Sequence, residues 1–276
     1  MKLTWQRRQL HLRHPFNIAR VSRSGETRKE VLLVRIEHES QVGWGEAAPI
    51  RYYHQSLDSA EAALARAAGL LGDSPFPLEE IHERLWKEMP DQSAAIAAVD
   101  GALHDLIGKL LRVPVWRMLG LSAEKVPLTS FTIGIDDMDT VARKIREAQE
   151  YPILKIKVGT PDDETLLRTV RAAAPEKVLR VDANCGWTPA NALERMRMVA
   201  SFHVEFIEQP IPAGNLEVVA RLRSARVAPL FADEDSVSEA DVVRCAGKYD
   251  GINIKLSKCG GIRPALRMIH VARALG

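Results

Sequence analysis

The chain has 276 residues, of which 46% are hydrophobic, 27% charged and 5% aromatic, a balance that supports a sizeable buried core. Thirty-eight Lys and Arg against 36 Asp and Glu leave a net charge of +2, so neither a basic nucleic-acid-binding stripe nor an acidic disordered tail is present. Cys185, Cys245 and Cys259 form no CxxC pair, the N-terminus has no signal-peptide core, and no run of about 18 apolar residues occurs; neither a disulfide framework nor a zinc ribbon is indicated, no membrane span is supported, and a soluble cytoplasmic protein is expected.

In chain order, EVLLVRIEHES and QVGWGEAAP are two β-type runs around a polar turn, predicting an antiparallel hairpin or meander. SLDSAEAALARAAGLLG, PLEEIHERLWKEM and QSAAIAAVDGALHDLIGKLL follow with helical apolar spacing, and Asp58, Pro77 and Asp91 mark their starts. Residues 1–125 therefore read as an α+β domain. From Val126 a different rhythm begins, with PLTSFTIG, ILKIKVG, KVLRVDAN, VEFIEQP, APLFADED and GINIKLSK alternating with helix-patterned stretches. Lys157, Asp182, Glu208, Asp233 and Lys255, which close five of these runs, fall 25, 26, 25 and 22 residues apart, the period of a βα array. A Rossmann fold would need GxGxxG after its first strand, yet only Gly43-Trp44-Gly45 offers a GxG, and no Walker motif occurs. The α/β class expected for 126–276 is thus a (β/α)8-type, TIM-like barrel with about six βα units present. Eight units of this period need roughly 200 residues. An open barrel ending at ARALG is expected to be poorly soluble or rescued by association, and not independently active.

Barrel chemistry gathers where strands end. Asp182, Glu208 and Asp233 end three successive strands, and three converging carboxylates repel unless a cation joins them. An all-oxygen set without His or Cys points to Mg²⁺ or Mn²⁺ over zinc. Lys155 and Lys157, two apart on one strand, share a face, while Lys255 ends a strand beyond the acidic ones. A buried lysine beside other cations can act as a neutral base, and a metal can stabilise charge on a substrate oxygen. Proton abstraction beside a carboxylate is the reaction class this implies.

Taken singly, an Asp or Lys at a strand end reads as a loop cap or solvated charge; six together argue for a shared site. Gly43, Gly45, Gly260 and Gly261 read as turn formers rather than phosphate-binding glycines. His104 reads as a helix-packing residue, and the cysteines as packing or loop residues.

The ordered set Lys155-Ile156-Lys157, Asp182-Ala183-Asn184, Glu208-Gln209-Pro210, Asp233-Glu234 and Asn253-Ile254-Lys255 resembles the muconate-lactonizing subgroup of the enolase superfamily, in which a lysine base working with Mg²⁺ is a known pairing. GWGEAAP and AAVDGALHDLIGKLLRVPVWRMLG resemble that superfamily's capping domain and its junction to the barrel. Within the subgroup, IARVSRSGE and TSFTIGID resemble dipeptide epimerases of the L-Ala-D/L-Glu type. The resemblance implies a Mg²⁺-dependent isomerase that abstracts the proton α to a carboxylate through an enediolate. Lys157 and Lys255 would be its acid/base lysines, and Lys155, Thr132 and Arg23 would contact substrate. Asp182, Glu208 and Asp233 would hold Mg²⁺. The partner implied is a small dipeptide, with no nucleic acid and no membrane; a homo-oligomer is left open. The family's seventh and eighth strands, with an Asp-x-Asp motif for the dipeptide's amino group, find no counterpart in these residues. Tyr52, Tyr53 and His54 fall near the specificity loop without an assigned role. The alternatives are a cycloisomerase, an o-succinylbenzoate synthase, an N-acylamino acid racemase, or a truncated, non-catalytic metal-binding protein.

Overall fold

The structure, a computed structural model, describes residues 1–19 and 27–276. It contains two compact units: one comprises residues 1–11, 28–126 and 254–270, the other 12–27, 127–253 and 271–276. Among the described residues no helix is long and apolar enough to cross a membrane.

In the first unit β1 (Lys2–His11), β2 (Arg28–His38) and β3 (Gln41–Ala47) form an antiparallel sheet in that order. The hairpin is the one the apolar alternation predicts. The additional strand β1 escaped that pattern because it lies at the sheet edge, with Gln6, Arg7, Arg8 and Gln9 all exposed. Helices α1 (Leu57–Ala67), α2 (Leu78–Glu88), α3 (Ser93–Leu111) and α4 (Val115–Met118) follow. Ser56 caps α1: its side chain accepts from Ser59 N–H while the Ser59 side chain accepts from Ser56 N–H. Pro77 immediately precedes α2, where its fixed φ and missing N–H cost nothing.

On β2, Leu32, Val34 and Ile36 are fully buried and stand opposite Ala47, Gly45 and Gly43 of β3. The small residues of β3 let α3 descend on this face. A Cβ on Gly45 would lie 2.0 Å from Ala98 O, and one on Gly43 would lie 1.9 Å from Ala102 O. The two glycines are therefore neither turn formers nor phosphate binders; they sit inside a strand where a helix backbone approaches.

The second unit is a parallel sheet of β4 (Ser130–Ile133), β5 (Ile153–Lys157), β6 (Val178–Asp182), β7 (Val204–Glu208), β8 (Leu230–Ala232) and β9 (Gly251–Ile252), adjacent in sequence order. Each connection carries one helix: α5 (Met138–Glu147), α6 (Asp163–Ala173), α7 (Ala192–Ala200), α8 (Leu216–Ser224) and α9 (Glu239–Cys245). All six predicted runs form strands. One face of the sheet packs on the helices through Leu154, Ile156, Leu179, Val181, Ile207 and Leu230, all fully buried; burial of such side chains contributes about 1.5–3 kcal/mol each. Period-two alternation sends the other residues of each strand to the opposite face.

After β9 come α10 (Leu256–Cys259) and α11 (Ile262–Leu275). Gly260 and Gly261 between them have φ of +91° and +125°, so these two are turn glycines as expected. Within the first unit Asp100 of α3 accepts from Ile262 N–H at 2.6 Å, and Ser93 Oγ donates to Ser257 O at 2.7 Å. His104 packs into α3 as the sequence suggests, and its Nδ1 also reaches Asp100 O at 2.8 Å and Asp100 Oδ2 at 3.3 Å.

Candidate active site

Strand register assembles the site. Thr132 pairs with Lys155, Lys157 with Asp182, and Asp182 with Glu208. Aligned partners on parallel strands point the same way, and Lys155 and Lys157 are two apart, so these five side chains share one face. Between β6 and β7 the register shifts: Leu179 pairs with Val204 but Val181 with Ile207. The extra residue on β7 is a bulge, and it accounts for the 26-residue step from Asp182 to Glu208, one more than the 25 from Lys157 to Asp182. Asp233 follows Ala232, the last residue of β8, and stands two residues beyond Phe231, the partner of Glu208.

The carboxyl groups of Asp182, Glu208 and Asp233 each offer an oxygen lying within 4.8 Å of the others, and the three residues are 0%, 2% and 0% exposed. Lys155 Nζ donates to both oxygens of Glu208, at 2.7 and 2.6 Å, and lies 2.9 Å from Asp182 Oδ2. Lys157 Nζ donates to the same Asp182 oxygen at 2.6 Å, with the Phe16 ring 6.0 Å away. Asn253 Nδ2 adds a 2.8 Å bond to Glu208 Oε1.

Burial, with the charges of Asp182 and Asp233, pushes the Glu208 carboxyl up to about 7 against the pull of Lys155. The Asp182 carboxyl is held well below the carboxylate range: burial opposes this, but Lys157 and Lys155 outweigh it. Burial pulls Lys157 below the ordinary lysine range; Asp182 resists and the neighbouring Lys155 charge assists. Burial also acts on Lys155, but Asp182 and Glu208 prevail and its ammonium is held above its usual range. An oxygen-only, buried and convergent donor set fits a hard divalent cation such as Mg²⁺.

Two residues that residue type alone did not reveal hold the loops around this row. Asp163, fully buried, accepts from Gly159 N–H and Thr160 N–H after β5 and from Trp187 Nε1 after β6; its place at the start of a helix pattern was the only signal. Gln209 follows Glu208 with φ +37°, and Asn184 and Cys185 follow Asp182 with φ +45° and +63°. Side chains rarely adopt such backbone. Lys255 does not stand on a strand, as the sequence suggested: β9 ends at Ile252, and Lys255 is the extended N-cap residue of α10, in the first unit. Arg23 lies outside the described residues. Tyr52 and Tyr53 stack edge to face with ring centroids 5.0 Å apart, and His54 has φ +57°.

Residues 2–120 match the mandelate racemase/muconate lactonizing enzyme N-terminal domain, and residues 137–276 match the enolase C-terminal domain-like family. The chain belongs to the enolase superfamily. Within that superfamily it is 39% identical over 277 residues to an L-Ala-D/L-Glu epimerase of Bacteroides thetaiotaomicron, covering all of this chain and 72% of the relative. An N-succinyl-L-Arg/Lys racemase of Bacillus cereus is 32% identical, with 97% of this chain and 75% of the relative covered. Among solved structures, the dipeptide epimerase of Enterococcus faecalis complexed with Mg and L-Leu-L-Tyr superposes with a TM-score of 0.93 at 31% identity, covering 100% of this chain and 79% of that one. These relatives are epimerases and racemases, hence isomerases, and the capping-domain and TIM-like barrel architecture is the one this superfamily chain shares with them.

Proposed function

We propose that this chain is a Mg²⁺-dependent epimerase of dipeptides, of the L-Ala-D/L-Glu type. The observation that carries the reading is the buried carboxylate trio with two lysines in register beside it. Asp182, Glu208 and Asp233 would hold the metal, which when bound supplies positive charge beside a substrate carboxylate. Lys157, whose ammonium burial makes easier to deprotonate, takes the α-proton at Nζ. Lys155, which stays charged, meets the substrate carboxylate as an ion pair, and Thr132, next to it in register, adds a polar contact. Inversion removes a proton from one face and returns one to the other, which a second acid/base group would serve; by the resemblance of Asn253-Ile254-Lys255 that group would be Lys255. Arg23 would choose an acidic side chain, since a guanidinium binds a carboxylate bidentately.

The division at residues 125 and 126 into a capping domain and a catalytic barrel belongs to the same reading. Three thiols without a disulfide support the reducing cytoplasm as its location. The test is proton exchange: with Mg²⁺ in deuterated water, L-Ala-L-Glu and L-Ala-D-Glu should each incorporate deuterium at the Glu α-carbon and interconvert, and a chelator should stop both. Exchange with N-succinyl-arginine and none with either dipeptide would favour the racemase chemistry named for the Bacillus cereus relative.

A further inference from the structure

We propose that Gln209 is a positioning residue that sets the spacing of the acidic ligands, an inference that rests on the metal site proposed above. Its side chain is fully buried and its hydrogen bonds run in both directions. Oε1 accepts from Asp233 N–H at 3.0 Å and from Asp235 N–H at 3.1 Å. The two hydrogens of Nε2 face three acceptors, Ile211 O at 3.0 Å, Asp235 Oδ2 at 2.9 Å and the Tyr249 hydroxyl at 3.2 Å. The orientation of the amide is dictated by these partners, because the reversed group would set its NH₂ against two N–H donors and its oxygen against a carbonyl and a carboxylate. The main chain of Gln209 does the same work: its N–H donates to Phe231 O at 2.9 Å, and its C=O accepts from Cys185 N–H at 2.9 Å.

One residue therefore touches the chain beside all three acidic positions. It adjoins Glu208, it grips the Asp233 amide, and it holds the turn after Asp182. Asp235 is the outer brace, accepting from the Tyr249 hydroxyl at 2.8 Å and from Gly214 N–H at 2.7 Å. The left-handed backbone at Gln209 persists because this network over-determines it.

Mg²⁺ demands near-octahedral oxygens at about 2.0–2.1 Å, whereas Ca²⁺ accepts looser sets at about 2.3–2.6 Å. A clamp on carboxylate spacing should therefore matter more for the smaller ion. The experiment is calorimetric titration of the full chain with Mg²⁺ alone and Ca²⁺ alone, comparing the unaltered protein with Gln209→Met and Tyr249→Phe, each checked for native far-UV circular dichroism. Gln209→Met keeps the volume and removes every side-chain bond. We expect it to weaken Mg²⁺ at least tenfold and Ca²⁺ less than threefold, and Tyr249→Phe to shift the ratio in the same direction by two- to fivefold. Equal weakening of both ions in folded Gln209→Met, or none, would reduce Gln209 to packing and overturn the inference. Should Gln209→Met not fold, the ratio in Tyr249→Phe decides, and an unchanged ratio overturns it. Glu208→Gln run alongside separates the two levels: undiminished Mg²⁺ affinity there removes the ligand assignment itself, and this inference with it.

Discussion

Lys157 Nζ stands 2.6 Å from Asp182 Oδ2, so the residue proposed as a base is hydrogen-bonded across neighbouring strands to a residue proposed as a metal ligand. Asp182 lies where both functions meet. Asp182→Asn, Glu208→Gln and Asp233→Asn should each weaken Mg²⁺ binding tenfold or more, about 1.4 kcal/mol, measured by calorimetry. Unchanged affinity in all three would show that the trio is a structural charge cluster.

The two-lysine assignment predicts asymmetric loss. In deuterated water Lys157→Ala should abolish exchange from one epimer of Ala-Glu and leave measurable exchange from the other, and Lys255→Ala should show the reverse. Parallel loss in both variants would count against a division of labour.

Two glycines some 56 positions apart in the chain, Gly45 and Gly101, should respond to alanine with opposite signs. A Cβ at Gly45 would strike Ala98 O, whereas a Cβ at Gly101, within α3, meets nothing within 4 Å. Gly45→Ala should cost about 3 kcal/mol or more through overpacking, and Gly101→Ala should stabilise by about 0.5–1 kcal/mol through helix propensity. Urea unfolding of both measures the contrast, and a stable Gly45→Ala would mean that α3 is free to retreat from the sheet.

His104 gives a pH prediction. Burial favours its neutral form, but the bonds and charge of Asp100 outweigh burial and Arg263, and the imidazole is held above its ordinary value. The folded chain thus binds this proton more tightly than the unfolded chain. The resulting stabilisation is complete below the unfolded value of about 6.5 and fades as pH rises through the folded one. His82, which burial lowers and which faces the same Asp100, is present in both proteins compared. His104→Gln should lose about 1–3 kcal/mol at pH 6 and distinctly less at pH 9; equal losses at the two pH values would show that His104 is neutral throughout.

Much of the site was legible because charge at a strand end is conspicuous. Lys157, Asp182, Glu208 and Asp233 advertise themselves by period and by type, and register alone brings the first three side by side. The bracing role of Gln209 was hidden for the opposite reason: the residue stands in the Glu208-Gln209-Pro210 motif, but a neutral amide says nothing of its partners, and Asp233, Asp235 and Tyr249 lie 24, 26 and 40 residues further along the chain. Lys255 was placed on a strand because GINIKLSK alternates, but pairing with β8 reaches only Ile252, and the chain turns before the lysine. Gly43 and Gly45 looked like a turn because glycine commonly marks one; the close approach of a helix from a distant part of the chain carries no local signature.

The bulge between β6 and β7, where the step from Leu179 to Val181 faces the step from Val204 to Ile207, gives heredity a spare residue. With Glu205 or Phe206 removed, the two strands would pair plainly and Glu208 would still stand opposite Asp182. The neighbouring pair has no such slack: β5 and β6 run in unbroken register from Ile153 and Val178 to Lys157 and Asp182, and a one-residue slip there exchanges the faces of a strand. Among descendants of this sequence a shortened strand should therefore be found at the bulge, while β5 and β6 keep their length.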